Sequence, residues 1–166
     1  MIKFFISFLI LFTSSYLKGG EISGLPKIID GDTIHINTYK IRLEGIDAPE
    51  IRQTCKKSFF KFSSIIGFTL QKDYSCGVDS KKELIKKIDN SEVNCSYKSR
   101  DRYKRYLSTC FKDKINLNKW MVRNGYAVSY KKYSKKYLDD EKYAKKNKLG
   151  IWRGDFTRPE KWRKLN

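Results

Sequence analysis

The order in which strand-like and helix-like segments follow one another constrains the fold of this chain most. Residues 28–36 are predicted as strand, turn and strand, because apolar residues flank the Asp30-Gly31 turn signal and the isoleucines 34 and 36 alternate with a polar residue. Further strands are predicted at Tyr39–Leu43, Val93–Tyr97 and Tyr106–Phe111, and helices at 79–88, 117–124 and 135–148. This succession predicts an α+β fold with a small antiparallel barrel.

The length of 166 residues predicts one domain. One stretch, 51–76, does not match a simple periodicity, since its many phenylalanines are interrupted by Gly67. We interpret it as an irregular or short helical insertion held by cysteines. The domain itself is expected to span 21–166.

Residues 1–20 have the layout of a secretory signal peptide. Lys3 precedes an apolar run from Phe4 to Phe12, and small polar residues follow. The run is short for a membrane-spanning helix, which needs about 20 apolar residues. We expect a secreted or periplasmic protein, with cleavage between Ser15 and Ile22; an uncleaved segment that anchors the chain in the membrane is the alternative.

The four cysteines agree with export. An even number of cysteines in an exported chain indicates disulfides, and four cysteines allow three pairings. A zinc site is disfavoured, because zinc-binding motifs place cysteines two to four residues apart and these are farther apart. The four are Cys55, Cys76, Cys95 and Cys110.

The formal net charge of +18, from 36 Lys and Arg against 18 Asp and Glu, predicts a partner that is a polyanion. A positive field of this size attracts nucleic acid. An A/T-biased genome would also enrich the chain in lysine, so charge alone does not decide the function.

Five charged residues have the chemistry that phosphodiester hydrolysis needs. Asp32 and Asp47 are hard oxygen ligands suited to Ca²⁺. Arg42 and Arg105 are permanent cations whose forked donors match phosphate oxygens. Glu50 is close enough to Asp47 in sequence to share its site and to accept a proton from water.

Each of these signals is weak alone, since an Asp-Gly-Asp turn or an arginine in a charged loop is usually only a surface feature. His35 is the single histidine, which excludes histidine-rich metal nucleases.

Taken together, the segments resemble the staphylococcal nuclease (thermonuclease) family, specifically its cysteine-containing, exported bacterial members. The resemblance extends from about Lys27 to Trp152. It rests on the segments Asp30–Thr33, Arg42–Glu50, Asp101–Leu107, Leu117–Ala127 and Lys148–Trp152, and the tail Pro159–Arg163 is also similar.

This resemblance implies an OB-like, five-stranded antiparallel barrel with about three helices. It implies calcium as cofactor, with Asp32, Asp47 and the backbone carbonyl of Ala48 as ligands. It implies Arg42, Glu50 and Arg105 as catalytic residues.

The resemblance also implies substrate contacts and disulfides. Substrate is expected to contact Arg102, Tyr103 and Tyr130, although the position of the usual second tyrosine is held by Val128. Lys104 replaces the usual glycine before Arg105. The implied disulfides are Cys55–Cys76 and Cys95–Cys110, and the second also agrees with a hairpin that turns near Arg102.

The implied activity is calcium-dependent endonucleolytic cleavage of DNA and RNA that leaves 3′-phosphates. The alternative is an OB-type module that binds nucleic acid without cleaving it. The presence of Arg42, Glu50 and Arg105 favours the enzyme. No stable protein partner is implied, and a monomer is expected.

Overall fold

The computed structural model describes residues 19–61 and 69–166, and for 59–61 and 69–70 it describes the main chain. The predicted signal peptide lies outside the described residues except for Gly19 and Gly20. In the described part of the chain, no helix is long and apolar enough to cross a membrane.

Most strands belong to one curled sheet with the order β1-β8-β9-β4-β3-β2, and β10 pairs with β9. These strands are β1 (Gly20–Gly24), β2 (Pro26–Ile28), β3 (Thr33–Ile36), β4 (Tyr39–Leu43), β8 (Val93–Arg100), β9 (Tyr106–Lys112) and β10 (Ile115–Asn116). The two edge strands, β1 and β2, are consecutive in the chain, so the sheet must curl to bring its edges near each other. Gly24 makes this corner with a φ of +147°, a conformation that glycine readily adopts.

The predicted α+β class and OB-like form are therefore confirmed, but the described sheet has seven strands rather than five, four α-helices are described rather than about three, and one strand pair is parallel. β4 and β9 run parallel, with Arg42 opposite Leu107, whereas the other pairs of this sheet are antiparallel. The sheet also contains β1, which the sequence pattern did not reveal because it adjoins the predicted signal peptide.

The described residues form four α-helices: α1 (Cys76–Ile88), α2 (Leu117–Arg123), α3 (Leu138–Lys146) and α4 (Pro159–Leu165). A 3₁₀ helix, Gly150–Arg153, follows α3. In α1 the buried residues Cys76, Ser80, Leu84 and Ile88 are spaced by four, which puts them on one face of the helix. That face packs on the sheet residues Ile34, Ile41 and Leu43, all at most 1% exposed, to form the main core.

In the described part of the insertion at 51–76, two strands pair as in a β-hairpin, and the helical or irregular interpretation was wrong for these residues. Strands β6 (Cys55–Lys61) and β7 (Thr69–Tyr74) pair antiparallel with a bulge after Ser58. The disulfide Cys55–Cys76 joins the start of this hairpin to the start of α1. The second disulfide, Cys95–Cys110, joins residues directly opposite each other in β8 and β9.

The C-terminal segment, residues 154–166, packs across the insertion. The amide of Lys56 donates to the carbonyl of Asp155 at 2.8 Å, and the side chain of Gln53, fully buried, donates to the carbonyl of Thr157 at 2.6 Å. Arg158 donates to both carboxylate oxygens of Glu141 in α3, at 3.2 and 3.1 Å. These contacts bring α4 to the rim of the groove described next.

Candidate active site

The floor of the site is set by the turn between β2 and β3. The carboxylate of Asp30 accepts the amide of Asp32 at 2.9 Å, which closes a local Asx-type turn. The antiparallel register then places Thr33 opposite Arg42. As a result, Nη1 of Arg42 lies 2.6 Å from Oδ1 of Asp32, and this aspartate is 3% exposed.

The second acidic segment enters from strand β5 (Ile46–Asp47), which pairs with β11 (Val128–Ser129). The amide of Ala48 donates to Oδ2 of Asp32 at 3.0 Å. Nη2 of Arg42 lies 3.1 Å from Oδ1 of Asp47, which is 1% exposed. One guanidinium therefore bridges the two aspartates that sequence analysis assigned to the metal.

Burial makes the carboxylates of Asp47 and Asp30 costly to ionise. Burial, followed by the neighbouring charge of Asp32, raises the pKa of Asp47 to about 6. The same two causes raise the pKa of Asp30 to about 7. Burial alone would lower the pKa of Arg42, but the negative charges of Asp32 and Asp47 outweigh it and raise that pKa. Three carboxylates, those of Asp30, Asp32 and Asp47, therefore act on the guanidinium of Arg42.

This arrangement fits a hard divalent cation in its chemistry. The buried carboxylates of Asp32 and Asp47, next to the main chain of Ala48, are oxygen donors of the kind Ca²⁺ prefers, completed by water. Among residues 19–61 and 69–166 no cluster of three or more Asp, Glu, His or Cys side chains is arranged to hold a metal. A cation here would thus depend on two aspartates, a carbonyl and water.

Glu50 lies at the edge of this floor and contacts a residue that the sequence analysis did not assign to the site. Nη1 of Arg163, in α4, donates to Oε1 of Glu50 at 2.8 Å. Nη2 of the same arginine donates to Oδ1 and Oδ2 of Asp47 at 2.9 and 3.1 Å. The only sequence signal for Arg163 was the similarity of the tail to that of cysteine-containing relatives.

The turn between β8 and β9 supplies the second arginine. Asp101 accepts Nε of Arg105 at 2.8 Å and the amides of Tyr103 and Arg105 at 2.9 and 3.0 Å. Burial raises the pKa of Asp101, but the hydrogen bonds from Arg105 outweigh it and the pKa lies below its ordinary value. Lys104 has a left-handed backbone with a φ of 62°.

The two arginines 42 and 105, Glu50 and Arg163 border one open groove of about 1130 Å³. Most of the predicted site residues line it, namely Arg42, Glu50, Arg102, Tyr103, Arg105 and Tyr130, together with the unpredicted Lys40, Lys132, Tyr133 and Arg163. Asp32, Asp47 and Ala48 are buried at its floor. The parallel pairing of β4 with β9 explains why Arg42 and Arg105, far apart in sequence, border the same groove.

Two aromatic side chains in the groove are exposed enough to stack on bases. Tyr103 is 61% exposed and Tyr133 is 69% exposed. The ring of Tyr133 meets that of Tyr130 at 4.8 Å between centroids, whereas Val128 is buried in β11. The second aromatic of this wall is therefore Tyr133, which sequence analysis missed.

Comparison with known proteins agrees with this geometry. Residues 40–154 match the family model described as staphylococcal nuclease homologue. The chain is 35% identical over 135 residues to succinoglycan biosynthesis protein ExoI of Rhizobium meliloti, covering 80% of this chain and 65% of that one.

Two further relatives are named uncharacterized endonucleases. The one from Haemophilus influenzae is 31% identical over 95% of this chain and 83% of its own length. The one from Escherichia coli O157:H7 is 32% identical over 93% and 94%. The two alignments cover most of the chain, and the family-model match includes β4, β5 and the turn between β8 and β9. This chain belongs to the staphylococcal nuclease family, whose membership indicates endonuclease activity on nucleic acids.

Proposed function

We propose that the protein is a calcium-dependent endonuclease that hydrolyses phosphodiester bonds of DNA and RNA and leaves 3′-phosphates. The observation that carries the proposal is the groove, in which two oriented arginines and one glutamate border a floor of two buried aspartates. The net charge of +18 and the exposed tyrosines support a nucleic-acid substrate.

The arginines hold the phosphate and its developing charge. Arg42 is fixed by Asp32 and Asp47, and Arg105 by Asp101, so neither has to reorganise when the transition state forms. Preorganised donors of this kind stabilise added negative charge at phosphorus. Lysine would keep the charge but lose the two-pronged geometry.

Glu50 is the residue that activates water. Its side chain is 34% exposed at the edge of the groove, so water can reach its carboxylate. It accepts a proton from the attacking water as the oxygen–phosphorus bond forms and the bond from phosphorus to the 5′ oxygen breaks, and the departing 5′ oxygen takes up a proton from water in the open groove. Calcium, held by Asp32, Asp47 and the Ala48 carbonyl, would supply polarisation of a phosphate oxygen.

The decisive experiment compares wild-type protein with Glu50→Gln on plasmid DNA and on RNA, in calcium and in chelator. Glu50→Gln should lower kcat by about 10²–10⁴-fold, since it removes the positioned base. Glu92→Gln, an exposed residue of the same type, is the matched control. Cleavage by Glu50→Gln at the normal rate, or undiminished wild-type cleavage in chelator, would refute the proposal and favour the non-cleaving binding module.

We also propose that the protein is exported and monomeric. The signal-like sequence of residues 1–20 and the two disulfides support export, since disulfides persist in oxidising compartments. Fractionation of the producing cells with thiol trapping tests this. Reduced protein found only in the cytoplasm would contradict it.

A further inference from the structure

The contact between the C-terminal helix and the groove assigns a role to one more residue. We propose that Arg163 is a positioning residue, which holds the Glu50 carboxylate at a fixed place relative to Asp47. Its Nη1 donates a hydrogen bond to Glu50, and its Nη2 donates to Asp47. The inference rests on the proposed function of Glu50 as the residue that activates water.

Glu50 needs such a partner because of where it lies. It follows Pro49 in a loop between β5 and β6, outside any helix or strand. Among the hydrogen bonds of the described residues, only that from Arg163 reaches its carboxylate. A long side chain held by one partner loses its orientation when that partner is removed. Arg163 therefore determines which way the carboxylate points.

Asp47 gives Arg163 a rigid reference point. This aspartate is 1% exposed, and Arg42 also donates to its Oδ1, at 3.1 Å. The planar guanidinium of Arg163 contacts both Asp47 and Glu50, so it links the two carboxylates directly. A planar, forked group fixes both distance and direction, whereas the single ammonium of a lysine fixes neither as well.

The segment that leads to α4 is held by several hydrogen bonds, as a positioning role for Arg163 requires. Gln53 donates to the carbonyl of Thr157, and Lys56 donates to the carbonyl of Asp155. These two residues flank Cys55, which forms the disulfide with Cys76. Farther along, Arg158 binds Glu141 in α3 and also the carbonyl of Ser129, at 3.0 Å. The segment leading to α4 is thus attached to the insertion, to α3 and to β11. A segment attached at three places is suited to hold a side chain still.

The insertion and the tail therefore form one unit. The hairpin β6–β7 contributes docking points for residues 154–157, and the side chain of Gln71 in β7 donates to Asp155 at 2.8 Å. The tail in turn brings Arg163 to the groove. The disulfide Cys55–Cys76 attaches this unit to the start of α1.

The test uses Arg163→Gln and Arg163→Lys in the full-length mature protein, with Lys161→Gln, an exposed cation in the same helix, as the matched control. We expect kcat of Arg163→Gln to fall about 10- to 100-fold, because misplacement of about 1 Å can cost 10²-fold. KM for DNA should change by less than about threefold, because Arg42 and Arg105 still bind phosphate. Arg163→Lys should recover only part of kcat, and Lys161→Gln should match wild type.

A second measurement needs no turnover. Amide hydrogen exchange of residues 50–53 in the metal-free protein should be faster in Arg163→Gln than in wild type or the control. Calcium affinity, measured by calorimetry, should not weaken, because the substitution removes a positive charge next to Asp47.

Three results would overturn the inference. Unchanged or increased kcat together with tighter calcium binding would show that Arg163 only competes with the metal. A lower Tm with unchanged kcat would show a purely structural contact, and a rise in KM alone would show a phosphate contact. If Glu50→Gln is inactive while Arg163→Gln is fully active, only this inference fails; if Glu50→Gln is also active, the proposed function fails with it.

Discussion

Gly77, the second residue of α1, controls how closely this helix approaches the loop that carries Glu50. A Cβ atom added at Gly77 would lie 1.7 Å from the carbonyl oxygen of Glu50, whereas contacts of that kind need about 3.0 Å. Both atoms belong to main chain or to a Cβ, so no side-chain rotation relieves the clash. Gly77→Ala must therefore displace the helix or the loop by more than 1 Å.

The two opposing contributions can be compared. Alanine stabilises a helix relative to glycine by up to about 1 kcal/mol. Forcing extra volume into a packed contact costs about 1–3 kcal/mol. We expect a net loss of about 1–2 kcal/mol, which lowers Tm by about 2–8 °C for a domain of this size. The same displacement should lower kcat by about 10²-fold, because it moves the main chain of Glu50.

Thermal unfolding and steady-state cleavage of DNA, well below Tm, measure the two effects separately. Lys82→Ala, an exposed change in the same helix, is the matched control and should leave kcat unaltered. A Gly77→Ala protein that is more stable than wild type and fully active would refute the reasoning, because the helix propensity would then be acting without any steric cost.

Two further substitutions test the electrostatics and the backbone of the site. Lys104→Gly should raise stability by about 0.5–1 kcal/mol with kcat unchanged, since glycine adopts the φ of 62° without strain; a lower Tm would contradict this. Asp30 has a folded-state pKa raised to about 7, chiefly by burial, so its contribution to stability is complete below about pH 4 and is lost as pH rises towards 7. In chelator, Tm of Asp30→Asn should therefore fall less than that of wild type between pH 5 and pH 7.5, and equal slopes would show that Asp30 is not the group responsible.

The parts of the site that could be predicted from the sequence are those formed by residues within one short segment. The turn at Asp30–Thr33, the strand Tyr39–Leu43 and the turn before Arg105 each depend on residues close in sequence, and the structure has all three. The strand assignments also placed Cys95 and Cys110 opposite each other, as the register shows.

The parts that could not be predicted depend on distant contacts. Arg163 is 113 residues from Glu50, and nothing in the local pattern of α4 indicates which face meets the groove. The hairpin at 55–74 was missed because its pairing includes a register shift after Ser58, so its side chains do not keep a strict alternation. Tyr133 was missed because the turns that follow β11 decide its direction.

The parallel pairing of β4 with β9 has a consequence for the kinetics of folding. It joins residues 41–43 to 106–108, so the chain must close a long loop before Arg42 and Arg105 can border the same groove. Contacts of high sequence separation form slowly, whereas the β8–β9 hairpin joins near neighbours and can form early. During refolding, hairpin structure should therefore appear before catalytic competence, and the return of activity reports on a slow, non-local step of assembly.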